Sequence, residues 1–266
     1  MVRGFVCACA ALLWLFGGLN AQTQPRSGPP PIKQPDQSEL SKGLLDRGIH
    51  DYESGNDASA MRDFQRAANM GNVDAMMYLG VMAGTGRGLE VDYGSAMRWF
   101  RLAADAGNGQ AMCNIGLLYF QGKGVAQNYL QALSWFQKAT AFNNTEAMFN
   151  MGVAYRDGLG AAVNYAEAMK WFKRAVGQGD DVSANALGVM YQQGQGVPVD
   201  FGEAMSWYRK AADANNATAM YNIGTLWENG LGVAADRKIA IGWYVKALIA
   251  GSESAGDALK SLSAEK

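Results

Sequence analysis

Histidine is nearly missing from the 266 residues, with His50 the single copy. A lone imidazole has no second one with which to share a metal, so zinc hydrolysis is excluded, and such a residue more often packs or faces solvent than catalyses. Cysteine is scarce as well: Cys7, Cys9 and Cys113. If the first 21 residues are removed, one cysteine remains, no internal disulfide can form, and packing alone must hold the domain together. No basic neighbour in sequence would lower the Cys113 pKa and make it a nucleophile. Charge of one sign is also lacking, with 23 basic against 24 acidic residues. That balance gives no general affinity for phosphate backbones or acidic membranes, so nucleic acid is not an expected partner. No apolar run is long enough for a comfortable membrane span.

The N-terminus reads differently from the rest. Arg3 supplies a positive start, Phe5 to Phe16 an apolar core, and Gly17 to Ala21 a small-residue ending. This is the layout of a secretory signal peptide over residues 1–21, cleaved after Ala21, and it predicts a periplasmic or secreted domain with no stable membrane insertion. An uncleaved anchor is the alternative. Five of the six prolines then crowd into residues 22–38. Such a stretch cannot bury enough surface to offset ordering and reads as a semi-extended spacer. A proline-rich ligand is the competing reading.

What the chain has in plenty is periodicity. Tryptophan recurs at Trp99, Trp135, Trp171, Trp207 and Trp243, every 36 residues. Ala60, Ala96, Ala132, Ala168, Ala204 and Ala240 keep the same beat, as do Phe64, Phe100, Phe136, Phe172, Tyr208 and Tyr244. A period of this length marks a solenoid, whose units bury their apolar faces against one another. Met112 to Gln121 and Tyr129 to Ala141 have the apolar spacing of helices. Second helices are expected to start at Asn56, Asp92, Asn128, Asn164, Asp200 and Asp236, with Gln131, Glu167 and Glu203 completing capping boxes. They are expected to stop at Gly71, Gly107, Asn143, Gly179, Asn215 and Gly251, the residue types that accept a left-handed helix end. The residue after each stop, such as Asn108 or Asn144, caps the next first helix.

Glycines inside the first helices, at Gly80, Gly116, Gly152, Gly188 and Gly224, each cost about 1 kcal/mol against alanine. Close approach of an alanine-lined partner helix is the expected compensation. The Gly-x-Gly pairs, Gly122 and Gly124 for example, follow helices rather than strands and read as structural turns, not phosphate cradles. Ser263 to Lys266 fits a Ser-x-x-Lys pattern, but a chain end cannot enclose a site.

The block Ala111 to Tyr119, then Gly122-Lys123-Gly124-Val125, then Ala132 to Ala139 resembles one Sel1-like repeat. Similar blocks begin at Ala75, Ala147, Ser183 and Ala219. The unit before them has four fewer residues between Gly48 and Ala60 and is more similar to a tetratricopeptide repeat. The resemblance implies an all-α, right-handed α-solenoid of six helical pairs over residues 39–251, with 252–266 as a capping helix. It also implies a concave face lined by first helices, and a non-catalytic scaffold for a protein or peptide partner in the cell envelope, with no cofactor and no metal. Aligned units place Tyr78, Asn114, Asn150, Ala186 and Asn222 in one row of that face. Met77, Cys113, Phe149, Asn185 and Tyr221 form a second row, and Phe120, Arg156, Gln192 and Glu228 a third. Amide side chains donate and accept at once, which suits the backbone of an extended peptide; bonding between helices is the other reading of the same residues. One cysteine-rich branch of the family is associated with β-lactam binding and weak hydrolysis, which supplies the alternative function. That branch carries paired cysteines in each repeat, and this chain has none.

Overall fold

The computed structural model describes residues 36–264; the signal segment and most of the proline-rich linker expected from the sequence lie outside them. Thirteen helices and no strand are present among the described residues. The first pair is α1 (Gln37–Glu53) and α2 (Asp57–Asn69). Then follow α3 (Val73–Thr85) with α4 (Tyr93–Asp105), α5 (Gly109–Gln121) with α6 (Tyr129–Thr140), and α7 (Thr145–Asp157) with α8 (Tyr165–Val176). The array ends with α9 (Asp181–Gln193) and α10 (Phe201–Asp213), α11 (Ala217–Asn229) and α12 (Arg237–Ile249), and a last helix α13 (Glu253–Ala264). Helix α1 begins two residues inside the stretch read as linker, with the Asp36 side chain accepting the Ser38 N–H at its start.

The helix boundaries follow from the caps. The Asn108 and Asn144 side chains accept the N–H of Ala111 and Ala147, each at 2.8 Å, and thereby satisfy a free first-turn amide. Asn143 and Asn215 are the only non-glycine residues with positive φ among those described, at 56° and 65°, and both stand at expected helix ends. The capping box is half formed. Gln131, Glu167 and Glu203 donate their N–H groups to Asn128, Asn164 and Asp200. The cap N–H groups themselves go to carbonyls of the preceding helix: Asn128 to Tyr119 at 2.9 Å and Asn164 to Tyr155 at 2.8 Å. This backbone link across the loop takes the place of the reciprocal side-chain bond and fixes where the second helix starts.

The core is a file of rings. Phe64, Phe100, Phe136, Phe172, Tyr208 and Tyr244 are all buried between their own first and second helices. The interior glycines answer to these rings rather than to alanines: a Cβ added at Gly116 would stand 2.5 Å from Phe136 Cε1. The same contact recurs in each later pair and, through Gly48 and Phe64, in the shorter first one. Burial of one such side chain contributes about 1.5–3 kcal/mol, which outweighs the helix penalty of its glycine. The second glycine of each loop pair serves the interface with the preceding unit. Gly124 has φ 71°, and a Cβ there would lie 2.4 Å from Tyr93 Cβ at the start of α4.

The two helix rows differ in exposure. In α5 only Gln121 is exposed, whereas α6 exposes Leu130, Gln131, Ser134, Gln137 and Lys138 along one face. The periodic tryptophans are half-buried on the second helices, with basic side chains one turn on: Lys138 lies 4.1 Å from the Trp135 ring and Lys246 lies 4.3 Å from that of Trp243.

Candidate binding face

The first helices α3, α5, α7, α9 and α11 present the candidate residues, and the amides and rings among them are half-buried. Their neighbours are largely aromatic. Tyr78 stacks on Phe64 of the preceding unit at 4.8 Å. Phe149 tilts against Phe172 at 5.7 Å, and Tyr221 against Tyr244 at 5.4 Å. Phe120 meets Tyr129 edge-on at 5.1 Å and lies 6.3 Å from Phe136. These rings lean on the buried file and stay half-exposed themselves, which suits apolar anchors.

The third row has a second task. Gln192 accepts the Tyr208 hydroxyl at 2.6 Å, and Glu228 accepts that of Tyr244. Where the core ring is tyrosine, the residue sixteen positions earlier is an acceptor; where it is Phe136, that place holds Phe120. A buried hydroxyl without a partner would cost about 1–3 kcal/mol, so the pairing is required by the core. Burial pushes both tyrosine pKa values up, and the Glu228 carboxylate adds to the effect at Tyr244. Arg156 is held by Asp157, through bonds of 2.7 and 2.8 Å.

Two of the asparagines meet directly. Asn222 donates from Nδ2 to Asn185 Oδ1 at 2.9 Å, across adjacent first helices. Asn114 accepts from Gln110 at 3.4 Å, and Asn150 lies beside the Cys113 thiol. That thiol is fully buried; burial pushes its pKa up and the Glu146 carboxylate adds to the shift, so it stays protonated and non-nucleophilic.

A further ladder, not singled out by the sequence pattern, runs along the edge where the first helices begin. The cap asparagines donate from Nδ2 to the preceding first helix: Asn72 to Ser41 at 3.2 Å, Asn108 to Asp74 at 3.0 Å, Asn144 to Gln110 at 2.8 Å and Asn216 to Asp181 at 2.7 Å. A cap that is asparagine or aspartate is visible in sequence. Its second bond, to another unit, is not, because it depends on how the units stack. Beside this ladder opens a cleft of about 680 Å³, reaching Phe149 on the face. Among the described residues no group of three or more His, Cys, Asp or Glu is placed to hold a metal, and no helix is long and apolar enough to cross a membrane.

Five consecutive stretches, residues 73–108, 109–141, 145–180, 182–216 and 217–252, match the Sel1 repeat. A Sel1 repeat protein from Oxalobacter formigenes is 31% identical, with a TM-score of 0.76 over 82% of this chain and 89% of that one. A protective antigen of uropathogenic Escherichia coli with the SLR fold is 29% identical, with a TM-score of 0.71 over 84% of this chain and 50% of its own length. An immunity protein from Pseudomonas aeruginosa shares the fold at 15% identity and a TM-score of 0.54, covering 82% of this chain and 83% of that one. No functionally curated protein matches significantly. Repeats of this kind serve as protein-interaction scaffolds. With its helix pairs, buried rings and glycine loops recurring over these five stretches, the chain belongs to the Sel1-repeat family.

Proposed function

We propose that this protein is a non-catalytic scaffold of the bacterial cell envelope, periplasmic or secreted, which holds an extended segment of a protein partner along its first-helix face. Envelope maintenance or signalling is the setting this reading favours. The observation that carries it is the set of half-buried amides and aromatic rings to which each of five successive first helices contributes. Half-burial suits a groove: rings supply desolvated anchors while amides at Asn114, Asn150 and Asn222 serve peptide groups. The N-terminal segment with Arg3 and its apolar core supports the envelope assignment.

The test changes Asn114 and Asn150 together to alanine. Each lost bond to a neutral peptide group is worth about 0.5–1.5 kcal/mol, so affinity for a partner captured from envelope extract should fall several-fold while the thermal midpoint holds. The control pair, Gln137→Ala with Lys173→Ala on exposed second-helix faces, should leave binding unchanged. Intact binding by the folded asparagine double variant would sink this reading at these residues. Lowered stability with unchanged affinity would assign them to helix packing instead.

A further inference from the structure

The asparagine ladder has one broken step. Between α7 and α9 the cap is Asp180, which has no side-chain proton to donate. The place on α7 equivalent to Asp74 and Gln110 is held by Glu146. Two carboxylates therefore stand where every neighbouring step has a hydrogen bond. Both line the 680 Å³ cleft. Asp180 accepts the Ser183 N–H at 2.7 Å and Glu146 accepts from Gln110 at 2.8 Å, but among the described residues neither pairs with a cation.

The rest of the lining is mixed: amides of the cap ladder, Asn108, Gln110 and Asn144 among them, and an apolar part of three side chains. That apolar part is Phe142, 52% exposed, Val182, 44% exposed, and the half-buried Phe149. The places equivalent to Phe142 hold Met70, Ala106, Gln178, Ala214 and Ala250, so an aromatic ring here is peculiar to this unit. It is seated on Gly109, where a Cβ would come within 2.8 Å of Phe142 Cβ. Charge is sorted across the molecule in the same sense. The five first helices α3 to α11 carry one basic and five acidic residues, and the five second helices α4 to α12 carry eleven basic and four acidic. The one basic residue of the first helices, Arg156, is already paired with Asp157.

We propose that the cleft receives a lysine or arginine side chain, together with an adjacent apolar residue, from the extended protein segment that lies on the first-helix face. This deepens the scaffold reading and rests on it. The cation sits between Asp180 and Glu146 and supplies the donor that the missing asparagine would have supplied. Its aliphatic stem and the apolar neighbour cover Phe142 and Val182. The volume fits this load, since small-ligand sites occupy roughly 300–1,000 Å³. A carboxylate pair discriminates for charge, and the ring beside it discriminates for an apolar companion.

The test titrates the isotope-labelled protein with a capped glycine–serine peptide bearing a central Phe-Lys pair, followed by backbone NMR shifts. A matched peptide carries norleucine in place of lysine. The lysine peptide should shift the amides of Gly109, Thr145 and Val182, and the norleucine peptide should bind about tenfold more weakly. Asp180→Asn should weaken the lysine peptide by a similar factor, leave the norleucine peptide unaffected, and fold normally, because asparagine fills four of the equivalent caps. Equal binding of the two peptides, an unchanged affinity in Asp180→Asn, or no shift at the cleft at millimolar peptide overturns the inference. Shifts along Asn114, Asn150 and Asn222 with no charge preference would keep the scaffold reading and discard the cationic occupant. Shifts confined to the cleft would do the opposite.

Discussion

Adding one methyl group at Gly116 separates the packing account of this fold from one based on helix propensity. Helix α5 has glycine at its centre, and alanine there would gain about 1 kcal/mol of intrinsic helix stability. The new Cβ, however, would lie 2.5 Å from Phe136 Cε1 and 2.6 Å from Cδ1. Phe136 is fully buried, so its ring has nowhere to retreat without moving α6 or the next unit. Overpacking of this kind costs about 1–3 kcal/mol, and α5 and α6 meet along their whole length, which places Gly116→Ala in the upper part of that range or beyond it before the propensity gain is returned. The net expectation is a loss of about 1–2 kcal/mol, or a thermal midpoint lowered by several degrees at about 2–4 °C per kcal/mol. Gly242 is the control: it is exposed in α12, and a Cβ added there would meet nothing within 4 Å, so Gly242→Ala should stabilise by about 0.5–1 kcal/mol. A cycle completes the argument. Phe136→Leu alone should destabilise, but Gly116→Ala added to it should cost less than in the parent, with a coupling of about 1 kcal/mol or more. Urea unfolding followed by circular dichroism reads all of these proteins, and hydrogen exchange in α5 and α6 shows whether neighbouring units open with them. If Gly116→Ala proves as stable as the parent, or the two alanine variants move in the same direction, the ring-on-glycine account is wrong.

Other expectations follow from buried or bridging groups. The Cys113 thiol has a pKa raised above its ordinary value of 9.0, so the folded chain keeps a proton that the unfolded chain releases; stability should fall as pH rises through and above that value. The slope of thermal midpoint against alkaline pH should be shallower in Cys113→Ala, and Cys113 should resist thiol labelling until the native protein unfolds. Arg87 ties the first unit to the second, bonding the Tyr52 carbonyl at 2.7 Å, pairing with Asp57 at 2.5 Å and lying 3.7 Å from the Tyr52 ring. In Arg87→Ala, hydrogen exchange should quicken in α1 and α2 before it does in α5 to α8; uniform exchange would contradict this anchoring role. Protein recovered from the envelope fraction should begin at Gln22, and intact chain embedded in membrane would establish the anchor reading instead.

The period makes most of the fold legible, because caps, helix ends and core rings act within one unit and each leaves a mark every 36 residues. What acts between positions of unlike spacing is harder to see. Gly116 and Phe136 are 20 residues apart, so sequence alone points the glycine at alanines on the facing helix when the ring is its partner. Spacing alone likewise predicts a full capping box, whereas the loop brings a helix carbonyl to the cap N–H before any side chain reaches it. Gln192 and Glu228 have the look of a ligand row, yet their acceptors are engaged by the tyrosines that replace phenylalanine in the last two pairs. That covariation is visible in the sequence once the sixteen-residue offset is known.

In a repeat array the positions that keep the period build the fold, and those that break it are where one copy can differ from the next. Ala186 interrupts the asparagine row, Asp180 interrupts the cap ladder, and Phe142 stands where no other unit has an aromatic ring. Asp180 and Phe142 line the same cleft, where a lost hydrogen bond and an exposed ring both cost stability. Neither is needed by the Sel1 repeat, since the equivalent places elsewhere fold with asparagine and alanine. Two unfavourable departures from a working pattern, brought to one cleft by units that the period places side by side, are what selection for a ligand would leave and what packing alone would remove.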